Sequence, residues 1–192
     1  MSKKKLGYLI FDLPSDHEVE GSLATDCQTI QSIIHNQGMR ARVKRICVAS
    51  RERFMNYPTY KYSVQFVHIA GHGGKTGIGM LGGTVNWAEV SKQIIKHIHP
   101  LSSGEQRIIC FSCCYSLNGF KKTKSHLAPY FTGAYIFTEE RVPFAEAITV
   151  WSMFYLKKRL SKPHGAIVES INNFIGRNLI SFRKYKLREQ RH

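Results

Sequence analysis

Three short apolar runs constrain the fold of this chain more than any other feature of its sequence. They are Leu6 to Leu13, Val64 to Ala70 and Arg107 to Ser112, and each is too continuous for a strand with one face in water. Runs of this kind are typical of strands buried on both faces of a parallel sheet. Parallel strands need long crossover connections, which helices usually supply. The runs therefore favour an α/β fold with helices on both faces of the sheet.

The segments between these runs predict the remaining elements. Ser22 to Gln37 carries apolar residues at helical spacing and is followed by Gly38, a helix stop signal. Arg42 to Ala49 alternates apolar and basic residues, as an edge strand does. Without a repeat or a linker-like segment, the chain is predicted to form one domain over 1–176 with a basic C-terminal tail at 177–192. Further helices are predicted for Trp87 to His97, Pro143 to Leu160 and Ala166 to Leu179, and a fifth strand for Ala134 to Thr138.

Composition narrows the class of protein. The 192 residues suit one domain, and 43% hydrophobic with 21% charged residues is an ordinary globular composition. No apolar run is long enough for a signal peptide or a membrane span. The five cysteines are an odd number without a framework spacing, which favours reduced or catalytic thiols. We therefore expect a cytoplasmic protein without a membrane partner.

Basic residues greatly outnumber acidic ones. Lys and Arg total 28 against 13 Asp and Glu, which gives a net charge of +15. This excess has two interpretations, a solvated surface or a surface that binds an anionic partner, and both stay open at this point. Much of the excess lies at Lys3 to Lys5, Arg40 to Arg53, Lys121 to Lys124 and Arg177 to Arg191.

Residues with nucleophilic chemistry follow two of the buried strands. Val64 to Ala70 leads into His72, and Arg107 to Ser112 leads into a pair of cysteines. Ligands of parallel sheets gather at the carboxyl ends of the strands, so neighbouring strands would bring imidazole and thiol together. A cysteine nucleophile needs such a base, and acyl transfer also needs N–H donors for the oxyanion. The backbone N–H groups of Gly73 and Cys114 are the predicted donors.

Other interpretations of these residues stay open. The glycines can form a simple tight turn, with the cysteines as small core residues. Gly74-Lys75-Thr76 resembles the end of a phosphate-binding loop, but Ile69 stands where the first glycine belongs. Cys110 and Cys113 have the spacing of a redox or zinc pair, yet Cys110 lies within the predicted strand and no second pair exists. His68 could join a metal site only with ligands that the sequence does not identify.

Two motifs resemble those of the caspase-like cysteine peptidase clan. VHIAGHGG is similar to its histidine motif, and IICFSCCYS is similar to the cysteine motif of bacterial metacaspase-like and CHAT proteins. The resemblance implies a caspase-like three-layer α/β/α sandwich with a mostly parallel central sheet. It implies a cysteine endopeptidase in which His72 is the general base and acid and Cys114 is the nucleophile, with Cys113 as a neighbour and no cofactor. His68 is expected to be structural.

The resemblance also predicts a substrate pocket for a basic P1 residue. Asp26 matches one of two acids that line the metacaspase S1 pocket, and Ser112 replaces the other. Asp12 at the end of the first strand, or Glu139 or Glu140 after the fifth, would supply the missing carboxylate.

The same resemblance implies a role for the enzyme. It suggests a regulated effector of antiviral defence that cleaves a protein or peptide substrate. Control would come from a separate molecule, either a nucleotide second messenger or an operon-encoded activator. The alternative is a catalytically idle or ligand-gated caspase-like binding module that senses a nucleotide signal or nucleic acid through its basic surface.

Overall fold

A computed structural model describes residues 7–15, 23–36, 42–158 and 162–185 of the chain. The strands are β1 (Gly7–Leu13), β2 (Arg42–Cys47), β3 (Phe66–Gly73), β4 (Gly77–Met80), β5 (Gly83–Asn86), β6 (Ile108–Ser112), β7 (Gly133–Phe137) and β8 (Ile180–Lys184). The helices are α1 (Leu23–Asn36), α2 (Arg51–Met55), α3 (Trp87–Lys96), α4 (Ser116–Leu127), α5 (Phe144–Lys158) and α6 (His164–Ile175).

The main strands form one sheet in the order β2-β1-β3-β6-β7-β8. The first five are parallel, and only β8 runs antiparallel to its neighbour. β4 and β5 form a hairpin that continues antiparallel from the carboxyl end of β3. The mostly parallel α/β sheet predicted from the sequence is therefore present, with β2 at one edge as expected.

Helices cover both faces of the sheet. In β1, Leu9 and Phe11 face the layer that contains α2, α3 and α4, whereas Tyr8 and Ile10 face the layer that contains α1, α5 and α6. Successive strand residues point to opposite faces, so a strand between two helical layers must be apolar at almost every position. This explains why the central strands appear in the sequence as continuous apolar runs.

The end of the chain differs from its prediction. α6 stops at Ile175 because Gly176 takes a left-handed conformation with φ of 81°. Residues 180–184, which fall within the predicted basic tail, instead form β8 against β7. The side chain of Asn172 accepts hydrogen bonds from two backbone N–H groups that lead into β8 and fixes this return of the chain. Residues 186–192 lie outside the described part.

Besides β8, the sequence analysis did not predict α2, α4 or the β4–β5 hairpin. The hairpin turns at Gly82 and Gly83, both with positive φ. α4 carries a central glycine and a polar, lysine-rich surface, which weakens its helical signal in the sequence. None of the helices within the described ranges is both long and apolar enough to cross a membrane.

Candidate active site

The two strands that lead into the predicted catalytic residues are direct neighbours. β3 and β6 pair in parallel, with His68 opposite Cys110 and Ala70 opposite Ser112. His72 lies two residues beyond Ala70 at the exposed end of β3, and Cys114 lies two residues beyond Ser112 in the half-buried turn before α4. The fold therefore brings the histidine and cysteine loops to the same edge of the sheet.

Gly73 shows how closely these two loops approach each other. A β-carbon at Gly73 would overlap the carbonyl oxygen of Cys114, and it would lie 2.9 Å from the Cys114 carbonyl carbon and 3.0 Å from Cβ of Cys113. Carbon atoms in good contact are about 3.5–4.0 Å apart. The backbones of the two loops are thus packed directly on each other, and only glycine allows this approach.

A sharp turn places Cys114 between strand and helix. Tyr115 has φ of 53° and is the one non-glycine residue with positive φ among the described residues. Its N–H donates to the carbonyl of Glu140 at 2.7 Å, which ties the cysteine turn to the loop after β7. Ser116 then opens α4, and its buried hydroxyl both donates to and accepts from the backbone of Phe137. These bonds hold the strained residue in a conformation that costs about 1–3 kcal/mol elsewhere.

Two helices on the same face of the sheet hold the histidine loop. The indole N–H of buried Trp87 donates to the Gly74 carbonyl at 3.2 Å, and its backbone N–H donates to the Thr76 carbonyl at 3.1 Å. The ammonium group of Lys122 on α4 donates to the Lys75 carbonyl at 3.0 Å. The loop that follows His72 is thereby fixed from both α3 and α4.

The predicted S1 residues divide into two groups. Asp12 is fully buried, and Asp12, Ala70 and Ser112 stand side by side across β1, β3 and β6. One carboxylate oxygen of Asp12 accepts hydrogen bonds from Nε, at 2.8 Å, and Nη2 of Arg45 on β2. The other, Oδ1, has no hydrogen-bond partner among the described residues. Asp12 and Ser112 therefore share one row, two residues below the level of His72 and Cys114.

The other S1 candidates are placed differently. Glu139 accepts hydrogen bonds from Arg177 at 2.7 and 3.4 Å, and Arg177 also binds Glu146 at 2.9 Å. This surface network engages the Glu139 carboxylate. Glu140 is exposed and takes part in the site through its backbone carbonyl. Asp26 lies in the first turn of α1, and its side chain is outside the described part of the chain.

His68 and Cys110 lie inside the core. Burial lowers the pKa of His68 to about 3, so the ring is neutral near pH 7. It forms a 3.1 Å hydrogen bond with the Tyr155 hydroxyl and packs edge-on against Trp151. Burial also raises the pKa of the Cys110 thiol.

The spacing of Cys110 and Cys113 does not produce a metal or redox pair. Cys110 belongs to the core on the α5 side of the sheet, and Cys113 belongs to the core on the α3 side. Residues three positions apart at a strand end point to opposite faces, so the two thiols face apart. Within the described ranges, no group of three His, Cys, Asp or Glu residues is arranged to hold a metal ion.

A separate cavity of about 690 Å³ opens beyond the carboxyl end of β2. Residues from the end of β2, from α2 and from the β4–β5 turn form its walls, and neither His72 nor Cys114 contributes to them. The cavity is therefore distinct from the histidine and cysteine loops.

Comparison with known proteins identifies the fold. No family model and no curated protein matches this sequence. A secreted C11 cysteine protease from Bacteroides thetaiotaomicron, iotapain, superposes with a TM-score of 0.60 at 12% identity, over 95% of this chain and 67% of that chain. The Arg-specific cysteine proteinase gingipain R superposes with a TM-score of 0.52 at 11% identity, over 95% of this chain and 47% of that chain. The chain has the fold of these cysteine proteases.

This likeness confirms the caspase-like α/β/α fold that the motifs predicted. The finer resemblance to metacaspase-like and CHAT proteins stays a prediction, as do the roles of His72, Gly73 and Cys114. Sequence reasoning missed the supports of the site, above all Trp87 and Lys122. The helix that begins at Trp87 was predicted, and in the structure Asn86 and Glu89 cap its start, but nothing in the sequence indicated that the indole would reach the histidine loop.

Proposed function

We propose that this protein is a cysteine endopeptidase with Cys114 as nucleophile and His72 as general base and acid. The observation that carries the proposal is the backbone contact between Gly73 and Cys114 at the paired ends of β3 and β6. This contact joins two loops whose contacting residues are 41 positions apart in sequence. The fold shared with two cysteine proteases supports the same chemistry.

The proposed reaction is acyl transfer through a thioester. The proton of Cys114 passes to His72 as the sulfur attacks the scissile carbonyl carbon. The N–H groups of Gly73 and Cys114 stabilise the oxyanion, and His72 then protonates the leaving amine as the C–N bond breaks. A water molecule, deprotonated by His72, attacks the thioester and releases the carboxylic acid and the free thiol. This sequence of steps needs no cofactor.

Substitution of three residues tests the proposal. We expect Cys114→Ala and His72→Ala each to lower kcat for peptide hydrolysis by at least about 10³-fold, and the double variant to be no worse, because both act in one unit. Cys113→Ala is the matched control, since its side chain is buried in the core next to the nucleophile. It should keep activity within about threefold at a stability cost of about 1 kcal/mol. An active Cys114→Ala enzyme would show that Cys114 is not the nucleophile, whereas a wild-type Cys114 that no peptide probe acylates would favour the idle binding module.

We further propose a preference for Arg or Lys at P1. The support is the buried Asp12 carboxylate, whose Oδ1 lacks a partner in the described residues, and the position of Asp26 at the start of α1. A guanidinium can form paired hydrogen bonds with a carboxylate. Profiling with a P1-diverse peptide library should show arginine preferred, and the preference should fall in Asp26→Asn. Glu139→Gln is the control, because Arg177 already engages that carboxylate. Better cleavage after Leu, Met or Asp would contradict the pocket assignment.

A further inference from the structure

Helices α3 and α4 carry a surface of lysines that take no part in the proposed chemical steps, although one of them, Lys122, also supports the histidine loop. The two helices pack against each other on one face of the sheet, where the Ser91 hydroxyl lies 3.0 Å from Nδ1 of His126. Their buried residues belong to the same core, so their opposite sides both face solvent. We call four of the five exposed lysines of these two helices the lysine face: Lys92, Lys96, Lys121 and Lys122.

No acidic side chain neutralises the lysine face from within its own helices. α4 contains no acid, and the one acid of α3 is Glu89. Glu89 is engaged elsewhere, because it caps the start of α3 and accepts a hydrogen bond from Arg51 at 3.0 Å. Like charges thus stand together on a chain whose net charge is already +15, an arrangement that attracts a polyanion.

The spacing and residue type of the lysine face match a nucleic-acid duplex. Lys92 and Lys96 are about 6 Å apart along α3, and neighbouring helices lie about 8–10 Å apart. Rows at this separation can meet phosphates on both sides of a duplex groove, which is about 6–12 Å wide. Lysine binds phosphate as a point charge without reading base edges.

The lysine face has no well-exposed aromatic ring among the described residues of α3 and α4, which argues for a duplex rather than a single strand. Proteins that bind single strands stack the bases on aromatic side chains. Among the described residues, the large hydrophobic side chains that are well exposed lie on other elements, namely Tyr60, Leu81, Leu156 and Phe174. A surface with lysines and no stacking platform suits the continuous phosphate backbone of a duplex.

We propose that the lysine face binds the phosphate backbone of double-stranded nucleic acid. The face adjoins both catalytic loops, since α4 begins two residues after Cys114 and Lys122 bonds to the Lys75 carbonyl beyond His72. Binding there is independent of the proposed peptidase chemistry and is measured without it.

Fluorescence anisotropy with labelled 20-base-pair DNA and RNA duplexes tests the proposal. If four lysines each contact one phosphate of a DNA duplex, a plot of the logarithm of the binding constant against the logarithm of the salt concentration should have a slope of about −3.6. The affinity should therefore fall about 150-fold between 50 and 200 mM salt. One variant replaces the lysine face, and a matched variant removes four exposed charges from the edge strands β2 and β8. The first carries Lys92→Gln, Lys96→Gln, Lys121→Gln and Lys122→Gln, and the second carries Arg42→Gln, Lys44→Gln, Arg183→Gln and Lys184→Gln.

The two variants give opposite expected results. The lysine-face variant should lose at least about 30-fold in affinity at 50 mM salt and most of the salt slope, while the edge-strand variant stays within about threefold. Thermal unfolding confirms that each variant is folded. Binding to either duplex in this pattern supports the proposal. The proposal would be overturned if both variants lost affinity equally, or if the wild-type protein bound neither duplex at 50 mM salt. It would also be overturned if the matching single strand, or an acidic polypeptide of equal charge, bound more tightly than the duplex.

Discussion

Replacing Gly73 by alanine is the sharpest test of whether the histidine and cysteine loops form one site. The new β-carbon would overlap the Cys114 carbonyl oxygen and lie 2.9 Å from its carbonyl carbon. Relief of the carbon–carbon contact alone needs a movement of about 0.6–1.1 Å, given a normal separation of about 3.5–4.0 Å, and the tighter overlap with the oxygen makes this a lower bound. Because both neighbouring atoms belong to backbone, one loop must move away from the other.

The expected effects on catalysis and on stability are of similar size in free energy. A displacement of about 1 Å in a catalytic constellation costs about 10²-fold in rate, which corresponds to about 2.7 kcal/mol of transition-state stabilisation. Crowding a packed region costs about 1–3 kcal/mol of folding free energy. We therefore expect Gly73→Ala to remain folded and to lose about 100-fold in kcat/KM for a peptide substrate.

Two other glycines serve as matched controls. At Gly74 the nearest atom to an added β-carbon is 3.6 Å away, an ordinary contact, so Gly74→Ala should keep near-normal kcat/KM. At Gly7 the added carbon would lie 2.5 Å from the Ser63 carbonyl oxygen at the opposite end of the sheet. Gly7→Ala should lower stability with little change in kcat/KM of the folded enzyme. A Gly73→Ala enzyme that is folded and keeps kcat/KM within threefold of wild type would refute the two-loop site.

Three further expectations follow from other parts of the structure. Peptide mapping after brief treatment with a thiol reagent should find Cys114 and the exposed Cys47 modified, because the other three cysteines are buried. Early modification of one of the buried cysteines would contradict the packing. Ser116→Ala should lower the free energy of unfolding in urea by about 1–3 kcal/mol, because it leaves a buried backbone N–H of β7 unpaired. Thr149→Ala, on the exposed surface of α5, is the control and should change this free energy by no more than about 0.5 kcal/mol. Burial lowers the pKa of His68 to about 3, so below about pH 6.5 the unfolded chain binds a proton that the folded chain excludes. The free energy of unfolding should then fall by about 1.4 kcal/mol per pH unit towards pH 3, and less steeply in His68→Leu.

The central sheet could be predicted from the sequence because burial on two faces leaves a strong local signal. Val64 to Ala70 and Arg107 to Ser112 had to lie between helical layers, and the structure pairs them directly. β8 left a weaker signal, since residues 180–184 are buried at only one end and the strand carries exposed Arg183 and Lys184. From its composition alone, such a strand cannot be distinguished from a basic tail, because its pairing with β7 is a long-range contact.

The helix after the cysteines escaped prediction for a related reason. The α4 residues Gly119 and Thr123 are poor helix formers, but both are buried and needed for packing. The face of the Trp87 ring fills the space that a side chain at Gly119 would occupy. A contact between residues 32 positions apart leaves no trace in local periodicity, so tertiary packing and not propensity decides this element.

The ion pairs of the acidic residues proposed for the substrate pocket were the feature of the site that the sequence predicted least well. Asp12 and Glu139 were candidates because each lies at or just after the carboxyl end of a strand. Each carboxylate is, however, engaged by an arginine from another part of the chain, Asp12 by Arg45 and Glu139 by Arg177. The Arg45 pairing depends on the register of β2 beside β1, which no local pattern records.

The consequence of these ion pairs for substrate binding differs between Asp12 and Glu139. Glu139 is held on the surface, whereas buried Asp12 keeps one oxygen without a partner in the described residues, in the same row as Ser112. A substrate cation that reached this row would meet a carboxylate already shared with Arg45, so its binding must be weaker than to an unshared acid. Any strong selection for arginine at P1 would therefore depend on Asp26 as the second carboxylate.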